Sequence, residues 1–130
     1  MSAPLKGIGA ITLFVEDLER SRSFYQDVFG LKPIYEDDDS TVFDFDNTIV
    51  NLLRVAAART LIEPASVAGP DAGSRFQLTI WVKDADAASA ALDARGVTLL
   101  NGPIDREWGV RTASFTDLDG TIWEIAQQLS

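Results

Sequence analysis

One carboxylate stands where an apolar strand is expected. In DLDGTIWEI, Asp117 to Ile125, a tight-turn pattern runs into alternating residues that carry a single acid, Glu124. Burying an unpaired charge is costly, so Glu124 is a candidate metal ligand, catalytic acid or base, or ligand-recognition group. The chain contains no histidine and no cysteine. That removes the usual neutral-pH proton carrier, the commonest metal ligand and all thiolate chemistry. Catalysis would then fall to carboxylates, Tyr, Lys, Arg or bound water. Tyr25 and Tyr35 are the only phenols, and Tyr25 falls on the core side of a helical pattern. The stretch REWGVRTASF, Arg106 to Phe115, adds an aromatic plate, Trp108, beside Gly109, with Arg111 on the strand that follows. Trp108 suits stacking on a flat ligand. Arg111 suits pairing with Glu124 or an anionic ligand group, or an ion pair with Asp117 or Asp119.

These residues are positioned by an internal repeat. AITLFVEDLERSRSFYQDVFGL, from Ala10, lies over QLTIWVKDADAASAALDARGV, from Gln77. Each opens with strand-like alternation ending at Val15 or Val82. Asp17 or Asp84 then caps a helix that runs to Gly30 or Gly96. Leu18, Ser21, Tyr25 and Val28 mark the inner face of the first helix, and Ala85, Ala88, Leu92 and Arg95 that of the second. DFDNTIVNL, Asp44 to Leu52, lies over DLDGTIWEI without a gap, with Asn47 over Gly120 at the turn and Asn51 over Glu124. Asn and Gly both tolerate the positive φ of a tight hairpin turn. Each half therefore reads strand, helix, then a meander. The first module spans about 5–55 and the second about 75–130. Residues 56–74, rich in Ala, Gly and Pro without clear periodicity, read as a connector.

Composition narrows the function. The 130 residues suffice for a single domain with a real core, or two small modules sharing one. The net charge is −9, a field that repels nucleic acid and anionic membranes and favours cationic small molecules if it favours anything. No signal-peptide pattern or membrane-length apolar run is present, so a cytoplasmic location is the expectation.

The pieces ITLFVEDLERSRSFYQDVFGL, QLTIWVKDADAASAALDARGV, GPIDREWGVRTASF and TDLDGTIWEI, in this order, resemble the vicinal oxygen chelate superfamily. That superfamily includes glyoxalase I, extradiol dioxygenases and the fosfomycin- and bleomycin-resistance proteins. The resemblance implies an α+β fold of two tandem βαβββ modules forming a curled mixed sheet, a glyoxalase-like cup, with modules exchanged or edge-paired in a homodimer. It also implies metal ligands at Ala10, Asn51, Gln77 and Glu124. Alanine donates nothing and amide oxygens are weak transition-metal ligands, so the expectation is no metal and no cofactor.

Strand alternation places Thr12 and Phe14 on the face of Ala10, Thr79 and Trp81 on that of Gln77, and Ile122 and Ala126 on that of Glu124. The opposite face is large and apolar. The mixed face, with Thr12, Phe14, Asn51, Gln77, Thr79, Trp81 and Glu124, together with Trp108 and Arg111, has the composition of a small-molecule pocket. The expected function is sequestration of a flat hydrophobic, possibly cationic compound, as in bleomycin-resistance proteins. The alternative is an isomerase, lyase or dioxygenase-like enzyme of the same superfamily, with Glu124 as catalytic base or ligand.

Overall fold

A computed structural model describes residues 5–130, which divide into two compact units at Val67/Ala68. The first unit contains β1 (Ala10–Val15), α1 (Leu18–Phe29), β2 (Pro33–Glu36), β3 (Ser40–Asp44), β4 (Ile49–Arg54) and α2 (Val55–Ile62). The second contains β5 (Gln77–Trp81), α3 (Ala85–Ala94), β6 (Asn101–Asp105), β7 (Val110–Thr116) and β8 (Ile122–Gln128). Each unit builds its own four-stranded sheet, ordered β1-β4-β3-β2 and β5-β8-β7-β6. The first and last strands of each unit pair in parallel, and the remaining neighbours are antiparallel. This is an α+β arrangement of two βαβββ modules, and the sheet is not closed into one.

Capping fixes where the helices begin and end. The Asp17 side chain accepts a hydrogen bond from the Arg20 N–H at 3.1 Å, and Asp84 accepts one from the Ala87 N–H at 3.0 Å. Gly30 ends α1 with φ 69°, a left-handed stop that costs glycine little. Ser21, Tyr25 and Val28 turn inward from α1, against Leu13, Val15, Phe43, Val50 and Leu52. Tyr25 stacks on Phe29 and on Phe43 with ring centroids 5.3 and 5.9 Å apart. In the second unit the buried face of α3 is small, Ala85 and Ser89 with Leu92. The inward side of its sheet supplies Ala113, Phe115, Trp123 and Ile125.

Two expectations change. The first part of the expected connector is the helix α2, which packs on β4 and β1 and buries Ala58 completely. VAAARTLI has strong helix formers but no polar face facing an apolar one, so periodicity gives little sign of it. At the first meander turn the positive φ belongs to Asp46, 75°, one residue before Asn47; in the second it belongs to Gly120, 88°. The Asp46 N–H donates to the Asp44 carboxylate at 2.7 Å, and this local bond holds the left-handed residue.

Candidate functional site

In both sheets one face carries the helix, and the opposite, helix-free face carries the polar and aromatic side chains. The parallel register sets Thr79 directly beside Glu124, and Thr79 Oγ1 donates to Glu124 Oε1 at 2.9 Å. Cross-strand partners point the same way, so the helix-free face of the second unit can be read as rows. One row is Thr79, Glu124, Ser114 and Asn101. The next is Trp81, Ala126 and Thr112, and the third is Gln77, Ile122 and Thr116. Trp81 is 63 % exposed. Ala126 beside it is small, which leaves a low floor between the indole and the strand that bears Thr112.

The first unit repeats the pattern with different chemistry. Thr12 lies beside Asn51, and Phe14 beside Leu53. Thr12, Phe14 and Asn51 are all half-buried. The Asn51 Oδ1 is buried without a hydrogen-bond partner among the described residues. A buried acceptor left unmet costs about 1–3 kcal/mol, so this oxygen is a place where a donor would be welcome.

Two residues of the sequence reading are placed elsewhere. Arg111 pairs with Gln127 and Asp105 in the ladders, which turns it to the helix-bearing face. There its Nε donates to Asp105 Oδ1 at 2.6 Å, and its Nη1 to Asp86 Oδ2 on α3 at 3.0 Å. The bond to Asp105, with the attraction of both carboxylates, raises the guanidinium above its ordinary pKa, and Arg111 in turn holds Asp105 below the usual carboxylate range. Arg111 therefore ties the β6–β7 hairpin to α3 and does not face Glu124, Asp117 or Asp119. Trp108, 72 % exposed, sits at the tip of that hairpin, in a turn closed by bonds from Arg106 N to Val110 O and from Gly109 N to Arg106 O. It stands at the end of β7, four residues from Ser114, or about 13 Å along the strand from Glu124's row. It does not fold over that row.

The arginine that does reach the helix-free face is Arg106, absent from the sequence reading. Its Nε donates to Thr112 Oγ1 at 2.9 Å, and its Nη2 to Asn101 Oδ1 at 3.4 Å. Counting back from the DLDGT turn gives the signal that identifies it: Thr116 opposes Ile122, so Thr112 shares the face of Glu124 and Arg111 cannot.

The donor set does not fit a transition metal. Of the four positions that hold ligands in metal-using relatives of this fold, only Glu124 is a strong donor. Ala10 offers none, and Asn51 and Gln77 offer neutral amides. Among the described residues no group of three or more carboxylates, histidines or cysteines is placed to hold an ion. The first unit also has a cleft of about 530 Å³ between the start of α1 and the β2–β3 turn. Glu16, Asp17, Glu19, Glu36, Asp37 and Asp38 line it with Arg22 and Arg54. Those guanidiniums are taken by Glu36 and by Asp39, and the cleft reaches Thr41, which faces away from Asn51.

Comparison with known proteins follows this geometry. The profile of the Glyoxalase/Bleomycin resistance protein/Dioxygenase superfamily matches residues 7–125. The chain belongs to this superfamily. It is 35% identical over 123 residues to the uncharacterised protein YraH of Bacillus subtilis (strain 168), a match spanning 92% of this chain and 96% of that one. Solved members of the superfamily share the fold. A glyoxalase/bleomycin resistance protein/dioxygenase from Nocardioides superimposes with TM-score 0.88 at 23% identity, over 99% of this chain and 87% of that one. A glyoxalase-related enzyme from Fulvimarina pelagi gives 0.82 at 24%, covering 95% and 89%. A lactoylglutathione lyase from Agrobacterium tumefaciens gives 0.75 at 19%, covering 95% of each chain.

Proposed function

We propose that this superfamily member is a metal-independent binding protein for a flat, largely apolar small molecule. The helix-free face of the second unit is the seat, and the matching face of the first is a second seat of the same design. The observation that carries this reading is the juxtaposition of an exposed indole, Trp81, with the hydrogen-bonded Thr79–Glu124 pair one row away. An aromatic plate supplies contact area at little entropic cost. The carboxylate accepts from a positive or hydrogen-bond-donating group of the ligand, with Gln77 at the margin. In the first unit Phe14 takes the aromatic role, and Thr12 and the unmet Asn51 oxygen the polar one. We assign the protein to the cytoplasm, with no nucleic-acid or membrane partner, and as a homodimer.

A catalytic role for Glu124 has less support, because Thr79 is the only partner the structure gives its carboxylate and general acid–base chemistry calls for an oriented set. The test is tryptophan quenching of chelator-treated protein against a panel of aromatic compounds, each hit recovered and weighed by mass spectrometry. Saturable binding of unchanged compound is expected, weakened about tenfold or more in Trp81→Ala and in Glu124→Gln. Conversion of the compound, abolished in Glu124→Gln, would establish the enzyme reading. Quenching that needs added divalent metal would overturn metal independence.

A further inference from the structure

Resting on that reading, we propose that Arg106 is an anion-anchoring residue of the second unit's binding face, so that the ligand carries an oxyanion group as well as a donor for Glu124. Among the described residues, Arg22, Arg54 and Arg111 each sit against a carboxylate. Arg106 forms no ion pair there, and only the neutral oxygens of Thr112 and Asn101 hold it. In a chain with 20 acidic side chains, a half-buried guanidinium fixed by neutral acceptors keeps its field for something else. The two bonds occupy two of its five N–H donors and orient the planar fork, whose remaining donors match a carboxylate, sulfonate or phosphonate in bidentate fashion. Thr112 is 1% exposed, so the hydroxyl that positions Nε is itself fixed in the sheet.

The placement also says what lies around the anion. Thr112 shares a row with Ala126 and Trp81, two strand spacings or about 10 Å across. It is the diagonal neighbour of Glu124, at roughly 7–8 Å between Cα atoms. Glu124 is held by Thr79 on one side, Arg106 by Thr112 and Asn101 on the other, and Ser114 stands between them. Their own hydrogen bonds thus keep the two opposite charges apart, over a floor made low by Ala126 and walled by Trp81. The matching ligand is a planar aromatic acid with a hydroxyl or amine some bonds away from its acid group. The sequence, with its net charge of −9, points to a cation; the local guanidinium points to a molecule carrying a negative group as well.

Equilibrium dialysis of the full chain against two probes with one ring system tests this: 2-naphthoate and the neutral 2-naphthalenemethanol. The naphthoate should bind at least tenfold tighter to the wild type. Arg106→Gln should abolish that preference while leaving the alcohol's affinity within about twofold. Arg106→Lys, which keeps the charge but loses the fork, should retain part of it. Arg111→Gln, on the other face, should leave the preference unchanged. Circular dichroism and melting curves establish that each variant is folded. If the wild type binds both probes equally, or Arg106→Gln keeps the preference, the anion site is overturned while the binding face stands, since the alcohol still binds. If neither probe binds, both the anion site and the reading of the face are overturned.

Discussion

A hydrogen-bonded acid outside the binding face gives the clearest pH signature. Asp37 Oδ1 accepts from the N–H groups of Asp39 and Ser40 and from the Ser40 hydroxyl at 2.8–3.0 Å, and its Oδ2 accepts from the Tyr35 hydroxyl at 2.9 Å. The backbone bond from Asp39, then those from Tyr35 and Ser40, lower its pKa, and the same bond raises that of Tyr35. A carboxyl depressed in the folded state contributes stability that is fully present above its unfolded value of about 3.9 and is lost as pH falls through the lower folded value. Asp37→Asn should therefore melt below the wild type at neutral pH, and the gap should close below about pH 3. A gap that persists unchanged at pH 2 would show that the carboxylate charge is not what the β2–β3 turn uses. The binding face follows the same logic in neutral form. Thr79 fixes Glu124 as Ser40 helps fix Asp37, and in each case a hydroxyl chooses which carboxylate oxygen remains for others.

At the scale of elements, the β6–β7 hairpin decides which arginine belongs to the site. β6 shifts register between Asn101 and Ile104, and Gly102 sits in that irregularity with φ 88°. A Cβ there would stand 2.4 Å from the Thr112 carbonyl oxygen and 2.7 Å from the Ala113 Cα. Backbone cannot yield as a flexible side chain does, so Gly102→Ala should cost about 2–4 kcal/mol by the sum of strained φ and overpacking. Chemical denaturation measures this, and a cost under about 0.5 kcal/mol would refute the tight contact. This hairpin also explains what was legible in the sequence. The alternation of β1, β4, β5 and β8 was plain, because each packs a helix on one side and turns Thr12, Asn51, Thr79 and Glu124 to the other. Arg111 was misjudged because parity along β7 depends on pairing across a turn, not on its own residues. Arg106 lies outside any strand and reaches the face through its long side chain, which no periodicity records. α2 escaped notice because VAAARTLI lacks the polar stripe that marks a surface helix.

Across the whole molecule, the duplication sets assembly and site together. Each sheet ends in exposed strand edges, β1 and β2 in one unit and β5 and β6 in the other. Ile8, Phe76 and Trp81 beside those edges are more than half exposed, and proteins seldom leave such edges unpaired. Sedimentation equilibrium should accordingly give a mass twice the 14.2 kDa of the chain. A concentration-independent monomer would remove the homodimer from the proposal.

The matched pairs Thr12–Asn51 and Thr79–Glu124 occupy equivalent places in two copies of one module, and one side-chain change separates them. The repeat therefore gives evolution a spare. Either half can gain or lose an acid by a single substitution on a backbone that already accommodates it, while the other half continues to serve. A lineage built this way can wander between ligand chemistries without passing through an unfolded ancestor.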